Sequence, residues 1–74
     1  LFSGPSGLEI YERIAAEAHR IVRPGGYIHL EVGHTQAQQV VALFAEHSHA
    51  YHPGRAILDK ATGVHRVVEV QVLG

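Results

Sequence analysis

Arg20-Ile-Val-Arg-Pro-Gly-Gly-Tyr-Ile-His-Leu-Glu-Val-Gly-His-Thr-Gln36 decides the fold, because it joins three elements with clear punctuation. Pro24-Gly25-Gly26 cannot continue a helix: proline clashes with the preceding turn, and glycine takes the conformations that close one. Tyr27 to Val32 follows, rich in branched and aromatic residues that suit a pleated surface. Gly33 ends this strand, and a second helix starts near Thr35. Helix, strand, helix is the order of an α/β sheet, in which ligands collect beyond the carboxyl ends of the strands.

Working towards the amino terminus, Ser6-Gly7-Leu8-Glu9 has the form of a capping box, serine accepting from the third backbone N–H and glutamate reaching back. Leu8, Tyr11, Ile14, Ala15, Ala18, Ile21 and Val22 then recur at three- and four-residue intervals along one helix face. Glu9, Glu12, Arg13, Glu17 and Arg20 take the other side. Acids early and Arg20 and Arg23 late suit the helix dipole. In the strand, Ile28, Leu30 and Val32 share one face and Tyr27, His29 and Glu31 the other.

Towards the carboxyl terminus, Thr35 with Gln38 repeats the capping-box form. Ala37, Val40, Val41 and Phe44 give the second helix an apolar face as far as Glu46. His47 to Gly54 reads as a polar, turn-rich connector. Arg55 to Asp59 makes a short strand, Lys60-Ala-Thr-Gly63 a turn, and Val64 to Leu73 a long strand with Val68, Val70 and Val72 on one face. A four-residue loop containing glycine joins antiparallel neighbours without a crossover, so the last two strands are expected to form a hairpin.

Composition narrows the function classes. At 74 residues the chain is at most one small domain, and a domain of about 60 residues hides only about 60% of its unfolded surface. The absence of Met, at position 1 and elsewhere, and the apolar ending at Leu73-Gly74 fit a piece of something larger. Without Cys there is no disulfide framework, thiol nucleophile or cysteine-based zinc site. Six Lys and Arg against seven Asp and Glu leave a net charge of −1, with no electrostatic footprint for nucleic acid or an anionic membrane. No apolar run approaches the roughly 18 residues of a membrane-spanning helix. The sequence is expected to be soluble and cytoplasmic.

Gly7-Leu8-Glu9-Ile10-Tyr11, Val22-x-Pro24-Gly25-Gly26 and Leu30-Glu31-Val32-Gly33-His34-Thr35-Gln36 resemble, in order and spacing, the HemK/PrmC family of protein-(glutamine-N5) methyltransferases. Asp59-Lys-Ala-Thr-Gly-Val-His-Arg66-Val67-Val68 is similar to that family's closing hairpin, and Leu1-Phe2-x-Gly4-x-x-Gly7-Leu8 to the lead-in of its final part. Pro-Gly-Gly before a strand is widespread among class I methyltransferases; Leu-Glu-Val-Gly-x-x-Gln is narrower. The chain departs from the family pattern at Pro5 and Ser6, at His29, at His47-Ser48-His49, and at His65, where the family has Asp.

The resemblance implies the C-terminal segment of a class I, Rossmann-like S-adenosylmethionine-dependent sheet. Tyr27 to Val32 would be its fifth strand, Arg55 to Asp59 its sixth, and Val64 to Leu73 an antiparallel seventh inserted between them. It also implies the reaction: methyl transfer to the side-chain amide of the glutamine in the Gly-Gly-Gln motif of peptide-chain release factors, by positioning and electrostatic alignment. The family's glycine-rich cofactor loop, its ribose-binding acid and its Asn-Pro-Pro-Tyr motif are not in these residues. No catalytic, cofactor-binding or metal residue is therefore assigned, S-adenosylmethionine is expected only in the full-length parent, and the segment alone is expected to be inactive. Its expected partners are the upstream part of its own domain and, in the parent, the release factor.

Among individual residues, Glu31 near the carboxyl end of its strand is the first substrate-side candidate. Gln36 is the second, weighed against a capping role. Arg66 is read as a cross-strand partner of Asp59 rather than a site for an acidic ligand. His47, His49 and His52 invite a metal because imidazole is a common zinc ligand, but loop histidines facing solvent are the favoured reading. Two competing readings stand: a class I methyltransferase segment with another substrate, and a stand-alone α/β protein-interaction module pairing through the edge of Tyr27 to Val32.

Overall fold

The computed structural model describes residues 7–33 and 35–74, with the side chains of 64–66 set aside. The elements run α1 (Glu9–Glu17), a 3-10 turn (Ala18–Arg20), β1 (Tyr27–Glu31), α2 (Ala37–Ala45), β2 (Arg55–Asp59) and β3 (Val64–Gln71). This is the helix, strand, helix, strand, strand order expected. The three strands form one sheet in the order β1-β3-β2, and the last strand is antiparallel to both neighbours.

The reversal between helix and sheet is built by Arg23-Pro24-Gly25-Gly26. The Gly26 N–H donates to Arg23 O at 2.9 Å, and Gly25 has φ of +83°. Proline followed by a residue with positive φ is the chemistry of a type II turn, and glycine takes that φ without a Cβ clash. The turn also extends the ladder. Gly25 N–H donates to Val72 O at 2.9 Å, and Val72 N–H to Gly26 O at 2.8 Å.

Register follows the apolar alternation. Tyr27 to Glu31 pairs with Gln71 to Val67 residue by residue, which sets Ile28 opposite Val70 and Leu30 opposite Val68 on one face. Ile28, Val32, Val68, Val70 and Val72 are buried with Ala15, Ala37, Val40, Phe44, Ala50 and Tyr51 to form the core. Being central, β3 is covered by a strand on each side, and its Val68 and Val70 are almost completely buried.

Several expectations need correction. The second helix has Gln36, not Thr35, as its N-cap and no side-chain cap hydrogen bond, so the Thr35–Gln38 capping box is not formed. The cause is local: Gln36 N–H already closes a turn onto Gly33 O at 2.8 Å, which delays the helix to Ala37. The Ser6 cap and His34 lie outside the described residues. Ile21, expected on the apolar face of the first helix, is 84% exposed, and Ile10 is 52% exposed. The α-helix ends at Glu17 and tightens into the 3-10 turn, so Ile21 lies beyond the regular helix; with Ile10, Arg13, Ile14, Glu17 and Ala18 it lines an open groove.

His47 to Gly54 is not simply polar. Ala50 and Tyr51 are core residues, and Tyr51 bridges Val72 beyond the end of β3. The hairpin turn lies where expected, with Asp59 opposite Val64, Gly63 N–H donating to Asp59 O at 2.7 Å and Ala61 N–H to Asp59 Oδ1 at 3.0 Å. The register slips at Ile57/Leu58, which pair with Val67 and His65, and this bulge leaves Leu58 47% exposed. The expected Asp59–Arg66 pair lies outside the described side chains.

Candidate functional site

The carboxyl end of β1 is where a sheet of this kind offers backbone and side chains to a ligand. Glu31 is there, the last residue of the strand and exposed, while its carbonyl oxygen accepts the Tyr11 hydroxyl at 3.1 Å. Gln36 sits in the loop beyond. Its Oε1 accepts Gly33 N–H at 3.3 Å, and its Nε2 donates to Gly7 O at 3.4 Å. The two candidates thus share one rim, where the entrance to α1 meets the exit from β1.

Two backbone N–H groups of this rim are engaged within the chain. An anion or carboxylate needs backbone N–H groups free to converge on it, whereas Gly33 N–H is occupied by Gln36 Oε1 and Gln36 N–H by Gly33 O.

The histidines lie elsewhere. His19, His47 and His49 gather around Tyr51, with ring centroids 6.1 Å apart for His19–His49 and 6.0 Å for His47–His49. The Tyr51 hydroxyl donates to Ala15 O at 2.7 Å and accepts His19 N–H at 3.1 Å. Burial pushes the Tyr51 phenol above its ordinary pKa, against the smaller opposing effect of the His19 N–H. His52 instead lines an apolar depression with Pro53 and Leu73. Among the described residues no group of three or more His, Asp or Glu side chains is placed to hold a metal ion. The cluster ties α1 to the end of α2 through Tyr51, a role that the spacing of the histidines did not signal.

On the sheet face away from the helices, Glu69 of the central strand lies opposite His29 of β1 and Arg55 of β2. Its Oε2 is 2.9 Å from His29 Nε2, and its Oε1 accepts Arg55 Nε–H at 2.8 Å. Hydrogen bonds from His29 and then Arg55 hold the Glu69 carboxyl below the usual glutamate range. A group with a lowered folded pKa adds stability above its unfolded value and loses it as pH falls through the folded one. Glu69→Gln is therefore expected to narrow the stability difference between pH 7 and the region below about pH 4, read as urea midpoints at the two pH values. An unchanged difference would remove the ladder from the acid response.

Comparison with known proteins adds a second line of observation. Over 44 residues, 60% of the chain, the sequence is 46% identical to a release factor glutamine methyltransferase of Caulobacter vibrioides. The chain is similar to release factor glutamine methyltransferases. A Streptomyces coelicolor relative of that name is 44% identical over 46 residues, and one from Chlamydia trachomatis is 48% identical over 44. A protein named bifunctional methyltransferase in Rickettsia typhi is 39% identical over 49 residues. The matched stretch spans only 15% of the Caulobacter relative and 16% of the Streptomyces one. No protein-family model and no solved structure matches the chain. Among the described residues no helix is long and apolar enough to cross a membrane.

Proposed function

We propose that these residues are the C-terminal segment of a class I S-adenosylmethionine-dependent methyltransferase domain. Its substrate is the side-chain amide of the Gly-Gly-Gln glutamine in peptide-chain release factors, in the cytoplasm where those factors work. The observation that carries the reading is the 44–48% identity to proteins named release factor glutamine methyltransferase. The β1-β3-β2 order, with its antiparallel middle strand, is the arrangement that the fifth, seventh and sixth strands of such a sheet would have.

The surfaces left open support it too. The outer groove of α1, with Ile10 and Ile21 exposed, and the outer edge of β1 are apolar and hydrogen-bonding surfaces respectively that an upstream portion of the same domain would cover. In that assembly Glu31 is the substrate-side residue of this segment. Cofactor binding and the chemistry belong to the upstream portion.

A chimera tests the reading directly. The 74 residues replace the stretch of the Caulobacter vibrioides relative that contains the 44-residue match, and methyl transfer from S-adenosylmethionine to a release-factor fragment is followed by mass spectrometry of its Gly-Gly-Gln glutamine. The expected result is methylation that disappears when that glutamine is replaced. A folded chimera that binds cofactor yet leaves the fragment unmodified would defeat the release-factor reading and favour a class I methyltransferase with another methyl acceptor. Light scattering of the isolated chain separates the remaining reading: a well-folded specific dimer would favour a stand-alone interaction module pairing through β1.

A further inference from the structure

We propose that Gln36 is a positioning residue whose side-chain amide clamps the backbone entering α1 to the loop leaving β1, and so sets the shape of the substrate-side rim. The inference rests on the methyltransferase reading above and goes beyond it in giving Gln36 a defined role.

One planar group reaches both segments. Nε2 donates to Gly7 O, 29 positions away in sequence, while Oε1 accepts the N–H of Gly33, three positions away. At 3.4 and 3.3 Å both bonds are long, so the clamp holds by two weak bonds that act together rather than by one strong one. Glycine occupies both contact points. A Cβ on Gly33 would come within 2.9 Å of Oε1, and a Cβ on Gly7 within 3.1 Å of Nε2. Gly7 also has φ of +75°, a conformation that side chains other than glycine's rarely allow.

A second tether runs beside the first. The Tyr11 hydroxyl, in the first turn of α1, donates to the carbonyl of Glu31 at 3.1 Å. The start of α1 is therefore held to the end of β1 at two points, one on each side of the turn that follows the strand. Gln36 acts on a substrate only through the Gly7 and Gly33 backbone. A misplaced rim weakens substrate positioning while leaving the reacting groups untouched, so its loss belongs in KM.

The test uses the chimera described above with Gln36→Leu, which removes both bonds, and Gln36→Glu, which keeps the acceptor for Gly33 N–H but sets a carboxylate against Gly7 O. Both are expected to raise KM for the release-factor fragment on the order of tenfold with kcat unchanged. Amide hydrogen exchange is expected to rise at residues 7–12 and not in β3. Gly33→Ala, which pushes the amide aside, is expected to give the same exchange pattern with Gln36 present.

Wild-type kinetics for Gln36→Glu would reduce Gln36 to a cap on Gly33 and overturn the clamp. A fall in kcat at constant KM would place the residue in the chemistry instead, which also overturns it. Unchanged exchange at residues 7–12 in the Leu variant sinks the tether itself. If the unsubstituted chimera transfers no methyl group, the methyltransferase reading fails separately, and the exchange measurement still decides whether the clamp exists.

Discussion

Phe44→Ala is expected to cost about 3–5 kcal/mol, because truncating a fully buried aromatic loses its transfer energy and leaves a cavity that the surroundings fill only in part. Phe44 is 1% exposed, on the face of α2 that packs against the sheet, and its ring meets Tyr51 edge-on with centroids 4.9 Å apart. Val40, one turn earlier on the same face, is fully buried, so the space left by the ring has rigid walls. Small domains have little to lose. At about 0.05–0.15 kcal/mol per residue, a chain of this length holds only a few to about ten kcal/mol. The variant is therefore expected to lose most of its cooperative unfolding transition, measured by urea denaturation followed by circular dichroism. Ala42→Ser, on the exposed side of the same helix, is the control and should move the midpoint little. A Phe44→Ala loss below about 1 kcal/mol would mean that α2 does not seat on the sheet as described.

Phe44 was legible in the sequence for a reason that separates what can be read from what cannot. Its position follows Ala37, Val40 and Val41 at the intervals of a helix face, and the face is buried. The same holds for Ile28, Leu30 and Val32 in one strand and Val68, Val70 and Val72 in another, where alternation alone sets the buried side. Pro24-Gly25-Gly26 announced its turn because only certain residues accept the dihedrals that a reversal requires. These are local signals, complete within a few neighbouring residues.

What escaped depends on partners far along the chain. Ile21 continues the helical spacing in sequence, but the α-helix stops at Glu17 and a 3-10 turn follows, so that spacing no longer places it on the buried face. Thr35 and Gln38 carry the right types for a capping box, but the turn from Gly33 to Gln36 takes precedence and the helix starts later. Gln36 was singled out for its place beyond a strand end. Its contact with Gly7 was invisible, because that contact exists only once β1 has brought the two loops together. The bulge at Ile57/Leu58 has no signature in the alternating pattern either, since its effect is to break that pattern. The three histidines of the connector drew attention to themselves, while the tyrosine among them was the residue that mattered to the fold.

Tyr51 carries the second large expectation. The segment around it is rich in polar residues and has no period, so its burial follows from tertiary arrangement alone: it lies between the end of α2, the 3-10 turn after α1 and the last residues of the sheet. The residue is 3% exposed, and its hydroxyl joins two backbone groups, Ala15 O and His19 N–H. Tyr51→Phe keeps the ring and removes the oxygen, leaving Ala15 O without this donor and His19 N–H without this acceptor. An unsatisfied buried polar group costs about 1–3 kcal/mol, so the variant is expected to lose about 2 kcal/mol or more. The alkaline response identifies the hydroxyl specifically. Because burial raises the folded pKa, the unfolded chain releases the phenolic proton first, near pH 10, while the folded chain still holds it. Stability from this group is thus complete below the unfolded pKa and is lost as pH rises towards the folded one. Urea midpoints are expected to fall between pH 8 and about pH 11 in the unsubstituted chain, and to fall less in Tyr51→Phe, with absorbance at the tyrosinate band reporting a delayed Tyr51 titration that the variant lacks. Equal alkaline slopes in the two proteins would contradict a buried, hydrogen-bonded Tyr51 and with it the joint between α1 and the end of α2.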